Sequence, residues 1–273
     1  MGPQMLFRWL GVAGLEVTYG DQVLLVDPYV SRISFRKQWL GPVRPLQRLV
    51  KEKLPRAHFI LVTHAHYDHM LDVAEVMANT GALALGSHNT CTLLFLLGRS
   101  AGQIREVKAG DSVDLGKYQV KVLPALHGWA PGFGPGALRT NLKPPLGARD
   151  YRFDACYSYL IEVDGIRLLV SAGEFQDQVQ PAQVLFANPT YSYTQDLKFL
   201  RQVQPEVIIP IHWDDFWRRL DQPIRPMFQP PKWSWPPLQR VDLVQFQRGV
   251  NRIAPNVRVF VPERFKEYNL RNL

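Results

Sequence analysis

Apolar and polar positions alternate in short runs punctuated by glycine over the first thirty residues, the pattern of β-structure. Leu6–Leu10, Leu15–Tyr19 and Val23–Val26 are separated by Gly11, Gly14 and the Gly20-Asp21 pair. Within Arg44–Leu54, behind Pro45, the positions Leu46, Leu49, Val50 and Leu54 recur at helical spacing. A strand at Phe59–Val62, a polar loop, a helix over Leu71–Ala78, a strand at Leu83–Leu85 and a helix over Thr90–Leu97 continue the alternation of strand and helix. Further strands are predicted at Tyr118–Leu123, Tyr157–Val163 and Ile166–Val170, the last two forming a hairpin through Asp164-Gly165. Val184–Ala187 and Val207–Ile211 flank a helix near Gln195–Val203. A helix over Leu238–Ile253 precedes a last strand at Val257–Val261. Three stretches, at about 31–42, 128–154 and 223–237, fit no period and read as long functional loops. With no repeat and no linker, 1–273 is expected to form a single domain.

Composition adds little to this picture, and charge adds more. Hydrophobic content of 46% and charged content of 21% are those of a soluble globular chain. Cys91 and Cys156 are too few for a disulfide scaffold and lack metal-type spacing. No signal peptide follows Met1, and no apolar run is long enough to span a bilayer, so a cytoplasmic location is expected. The net charge of +8 is uneven. Arg32, Arg36, Lys37, Arg44, Arg48, Lys51, Lys53 and Arg56 face only Glu52, and Arg139, Lys143, Arg149 and Arg152 form a second basic group. Such segments recruit anionic substrates, lipid headgroups or nucleic acid, or serve only as a solvated surface.

The chemistry concentrates in Thr63-His-Ala-His-Tyr-Asp-His69, where the chain leaves the strand Phe59–Val62. Neutral imidazole binds Zn, Mn and Fe, and the Asp68 carboxylate adds charge and a harder donor. His127 and His212 each close a later strand, and Glu174 follows another in Leu168-Leu-Val-Ser-Ala-Gly-Glu. Ends of neighbouring strands converge in space, so these residues are natural partners for the loop. No serine-hydrolase elbow, Walker sequence or dinucleotide glycine pattern is present.

The motif Thr63–His69, His127 and Pro210-Ile-His-Trp-Asp-Asp-Phe216 together resemble the metallo-β-lactamase superfamily over nearly the whole chain. With Leu25-Val-Asp-Pro28, the last segment is most similar to the branch of ascorbate-phosphate lactonases and N-acylphosphatidylethanolamine phospholipase D. The resemblance implies an α/β fold, a four-layer αββα sandwich that commonly forms homo-oligomers. It implies two divalent metal ions, Zn foremost, with Mn or Fe also suited to the ligands. His64, His66 and His127 would hold one; Asp68, His69 and His212 the other. Two such cations activate a water and polarise an electrophile, and Asp68 would orient that nucleophile and take its proton. Where the family carries a bridging Asp after a glycine, this chain has Glu174 after Gly173; the longer side chain could bridge or turn away.

The implied activity is hydrolysis of an ester, lactone or phosphodiester in a small, anionic substrate. Nucleic-acid or lipid phosphodiester cleavage, or metal binding without turnover, are the alternatives. Asp27 resembles a family position supporting the histidine loop, while Asp214 and Asp215 either buttress His212 or cap a helix starting there. His88, Arg139, Arg149, Arg152 and Trp213 are candidates for substrate binding. An aromatic wall is expected from Trp39, Trp129, Phe133, Tyr151, Trp213, Trp217, Trp233 and Trp235. His58 reads as structural.

Overall fold

A computed structural model describes residues 3–128, 132–175, 179–190, 199–229 and 239–273. Its first half runs β1 (Met5–Gly11), β2 (Gly14–Tyr19), β3 (Gln22–Val26), α1 (Phe35–Trp39), α2 (Gln47–Lys53) and β4 (Phe59–Leu61). α3 (Tyr67–Met70), α4 (Val73–Thr80), β5 (Leu83–Gly86), α5 (His88–Leu96) and β6 (Ile104–Glu106) follow. The second half begins with β7 (Ser112–Leu115), β8 (Tyr118–Leu126), β9 (Tyr157–Val163), β10 (Ile166–Val170) and β11 (Glu174–Phe175). It continues with β12 (Val184–Ala187), α6 (Leu200–Val203), β13 (Val207–Pro210), β14 (Phe228–Gln229) and β15 (Gln239–Arg240). It ends with α7 (Leu243–Ile253), β16 (Arg258–Val259) and β17 (Glu267–Asn269).

Two mixed sheets result, ordered β17-β1-β2-β3-β4-β5-β6 and β11-β8-β9-β10-β12-β13-β16, with β7 also on β8. Each sheet is part antiparallel and part parallel: β3 through β6 run parallel in the first, and β10, β12, β13 and β16 in the second. Strict alternation along the strands then dictates the layers. Phe7, Trp9, Leu24, Val26 and Leu61 point inward and meet Tyr159, Ile161, Leu168, Phe186 and Ile209 of the other sheet. Their neighbours Val23, Leu25, Ile60 and Ala84 point outward onto Val50 of α2, Val76 and Met77 of α4 and Leu93 of α5. On the far side Leu169, Leu185 and Ile208 pack on Leu200 and Val203 of α6 and on Phe246 and Val250 of α7. The architecture is therefore the expected αββα sandwich.

Local chemistry sets several helix boundaries. Ser87 Oγ accepts from Thr90 N and starts α5, while Asp242 accepts from Val244 N and Gln245 N. α7 therefore begins at Leu243, not at Leu238 as the periodicity predicts. Stretch 31–42 is not wholly a loop, since Ser34 caps the short helix α1 within it. The end of the 128–154 stretch is packed: Leu146, Ala148, Tyr151 and Phe153 are buried, and Val43 N donates to Leu146 O at 2.8 Å. Of the helix expected near Gln195–Val203, only Leu200–Val203 falls among the described residues. No helix of the described residues is long and apolar enough to cross a membrane.

Candidate metal centre

The histidine loop is built on a parallel strand pair. β3 and β4 run side by side, so Asp27, just past β3, lies next to Thr63, just past β4. Asp27 accepts from Thr63 N at 2.8 Å and from Thr63 Oγ1 at 2.6 Å, and its Oδ2 lies 2.7 Å from His69 Nδ1. That contact turns His69 Nε2 toward the centre. Asp27 adopts a left-handed backbone, φ 44°, to do so. The single turn α3 then presents Asp68 and His69, with His66 at its N-cap. Asp72 follows and accepts from Val30 N, Ser31 N and Ser31 Oγ, tying down the segment after β3.

The other two histidines arrive from the second sheet. His127 follows β8 and His212 follows β13. His212 also has a left-handed backbone, φ 57°, and its N–H donates to Val12 O at 2.7 Å. Val12 N in turn donates to Asp214 Oδ1 at 2.8 Å, and Arg32 Nη2 donates to Asp214 Oδ2 at 2.8 Å, both charged side chains being buried. A Cβ at Gly11, where φ is 94°, would stand 2.0 Å from Arg32 Nη2, so only glycine leaves room for this pair.

Two groups of donors result, His64 with His66 and His127, and Asp68 with His69 and His212; within each, ligand atoms lie within 4.8 Å of one another. In the first, His64 Nε2 and His66 Nδ1 are 3.1 Å apart. In the second, His212 Nε2 lies 3.3 Å from His69 Nε2 and 3.4 Å from Asp68 Oδ2, and His69 Nε2 lies 3.6 Å from Asp68 Oδ2. A tetrahedral cation with bonds of about 2.0–2.1 Å sets its donors roughly 3.3 Å apart. The second group matches this at all three separations and the first at its His64–His66 pair, with His127 within 4.8 Å.

Electrostatics separates the groups. Burial pushes His64 well below its ordinary value, His66 to about 3 and His127 to about 4, so all three rings are neutral at pH 7 with lone pairs to offer. Burial works against charge on Asp68 too, but His69 and His212 beside it hold it below the usual carboxylate range. Burial likewise opposes charge on His69, and Asp27 and Asp68 outweigh it and raise its pKa. One group is thus a neutral nitrogen triad and the other carries an anionic oxygen.

The remaining sequence candidates fare unevenly. Glu174 is exposed and outside both groups. Paired strand residues share a face, and Glu174 pairs with Leu126, which is itself 51% exposed, so the side chain turns away from the centre. Gly173 is required there, because a Cβ would meet Leu126 O at 2.0 Å. Trp213, next to His212, faces the opposite way and stacks on Trp9 with centroids 5.4 Å apart, within the core. No helix starts at Asp214 or Asp215; Asp214 secures Val12, and Asp215 pairs with Arg225. His88 is exposed against Glu106. Arg139 pairs with Asp150, Arg149 lies over the Trp39 ring and Arg152 donates to Pro135 O, so each is held by a partner other than the donor groups. His58 accepts from Val23 N, as a structural residue does. Of the aromatic wall, Tyr151 is core, and Trp129, Trp233 and Trp235 lie outside the described residues.

Phe133 is placed as expected, 5.9 Å from the His66 ring. Phe153 carries no signal in the sequence beyond one aromatic in a Gly/Pro-rich stretch. Its ring stands 5.7, 4.8 and 4.9 Å from His64, His66 and His127 and walls the nitrogen triad. Gln38, also unmarked in the sequence, is buried and accepts from Tyr67 Oη at 2.8 Å and from Trp217 Nε1. A cleft of about 800 Å³ opens beside His127, lined by Pro124, Leu126, Phe133, Phe153 and Tyr157, with Asp154 among its polar groups.

A family profile described as the β-lactamase superfamily domain matches residues 22–213. The chain belongs to the metallo-β-lactamase superfamily. It is 28% identical over 221 residues to a UPF0173 metal-dependent hydrolase of Carboxydothermus hydrogenoformans, covering 77% of this chain and 85% of that one. A UPF0173 metal-dependent hydrolase of Mesorhizobium japonicum is 27% identical over 124 residues, 45% of this chain and about half, 48%, of the relative. Among solved structures, Igni18, a metallo hydrolase from Ignicoccus hospitalis, aligns over 97% of both chains at TM-score 0.63 and 18% identity. CmlA, a diiron β-hydroxylase from Streptomyces venezuelae, aligns over 99% of this chain and 55% of its own at TM-score 0.61 and 16% identity. At these identities the structures share the fold; their chemistry differs.

Proposed function

We propose that this chain is a metal-dependent hydrolase that cleaves an ester, lactone or phosphodiester bond in a small molecule. The observation that carries this reading is the pair of compact donor groups, one of neutral nitrogens and one with an anionic oxygen. Zn suits both, and Mn or Fe suit the same donors. When bound, two such cations would lower the pKa of a water and polarise the electrophile.

The chain's own residues supply the rest. Asp68 is held ionised, so its carboxylate can orient a water and accept its proton at Oδ. Asp27 fixes the His69 ring through Nδ1. Phe133 and Phe153 pack against the nitrogen triad and give the adjoining cleft an apolar wall. The cleft beside His127 has the size of a small-molecule site and a largely apolar lining. None of the three arginines lines the cleft and Asp154 does, so an apolar acyl portion suits it better than the anionic group the basic stretch suggests. Likeness to the lactonase and phospholipase D branch rests on Leu25–Pro28 and Pro210–Phe216 and favours the same bond classes.

A panel of lactones, carboxylic esters, thioesters and phosphodiesters, each with short and long apolar chains, tests the reading. Turnover on one class, lost with Asp68→Asn, is expected. An Asp68→Asn variant as active as the parent would remove the proton-accepting role. No turnover by metal-loaded protein on any class would remove the hydrolase.

A further inference from the structure

Between β3 and β4 the chain displays what a folded protein ordinarily covers. Phe35 is 54% exposed, Trp39 39%, Leu40 79% and Leu46 51%. Interleaved with them, Arg36, Lys37, Arg44, Arg48, Lys51 and Arg56 are all exposed, and the only acid from 34 to 56 is Glu52, which pairs with Lys53. The arrangement is held, not incidental. Ser34 caps α1, buried Gln38 anchors it to Tyr67, and the Phe35 ring packs edge-on against Trp217 at 5.1 Å. With Gln38 turned inward, the apolar side chains are left facing out. One ring separates the patch from the metal centre: the Trp39 ring lies 5.8 Å from Phe133, which lies 5.9 Å from His66.

We propose that residues 34–51 dock the protein on an anionic lipid bilayer, with Phe35, Trp39, Leu40 and Leu46 entering the headgroup boundary and the flanking cations on lipid phosphates. Aromatic and aliphatic side chains ringed by Lys and Arg are the composition that binds at such an interface. Phosphate recognition on a nucleic acid uses the cations and stacked rings but gains nothing from exposed Leu40 and Leu46. A second copy would bring like charge against like. Docking here would set the mouth of the metal centre against the membrane, whatever bond the centre cleaves.

The full chain is sedimented with vesicles of phosphatidylcholine alone and with about 30 mol% phosphatidylserine, where each basic residue adds several-fold to affinity. The parent is expected to bind the anionic vesicles and bind neutral ones weakly. Leu40→Glu and the double variant Arg36→Glu/Lys37→Glu should each lower binding roughly tenfold with unchanged circular dichroism and Tm, since all three sites are exposed. No binding to anionic vesicles at low salt would overturn the proposal. So would binding indifferent to Leu40→Glu, or displacement of the vesicles by an oligonucleotide. Self-association without vesicles, lost in Leu40→Glu, would assign the surface to a second copy instead.

Discussion

The loop His64–His69 and the pair His127 and His212 reach the same place by different routes. The loop is local: four donors within six residues, hung on two parallel strands and held by one carboxylate, Asp27, that grips Thr63 and His69 together. The pair is assembled from strands of the other sheet, and His212 is held by backbone, through Val12 and the buried Arg32–Asp214 pair. A metal site of this kind joins a preformed half with a half that exists only once the two sheets have packed. Removing support should therefore show as lost ligand orientation in the loop and as lost fold in the pair.

The largest effect expected is on turnover. If both halves serve one centre, His69→Ala and His212→Ala should each lower the rate at least about a thousandfold, since the cation's work is worth several kcal/mol. Unequal losses in steady-state assays of the metal-loaded proteins would separate the halves. Next comes Asp214→Ala, which strands Arg32 with an uncompensated buried charge and should cost roughly 3–5 kcal/mol in urea unfolding. Replacing both partners with apolar residues should recover much of that, so an equally unstable double variant would contradict the assignment. Asp27→Asn sharpens the other side of the comparison. It should weaken metal binding about 10- to 100-fold by competition titration while the fold persists. The smallest effect belongs to Glu174→Gln, within about twofold of the parent in both affinity and rate, because an exposed carboxylate outside both groups bridges nothing.

What the sequence shows follows the same division. Strands that alternate over a two-sided core, such as Tyr157–Val163, are legible to the residue, and the loop motif is legible because its donors are adjacent. Short edge strands such as Ile104–Glu106 and Glu267–Asn269 are not, since they carry charge where a core strand would alternate. Trp213 stands beside His212 in sequence, yet its ring turns into the core onto Trp9, and Glu174 shares a strand face with the exposed Leu126 rather than with the donors. Phe153, Asp72 and Arg32 leave no local trace because their roles depend on contacts from distant segments.

Metal quantification on the parent and on two single variants, one from each donor group, tests the two-group centre most directly. The parent is expected to hold two equivalents of a divalent ion, and His127→Ala and His212→Ala one each, leaving the other group filled. A parent that binds no metal under any loading condition, or variants that retain both equivalents, would contradict it.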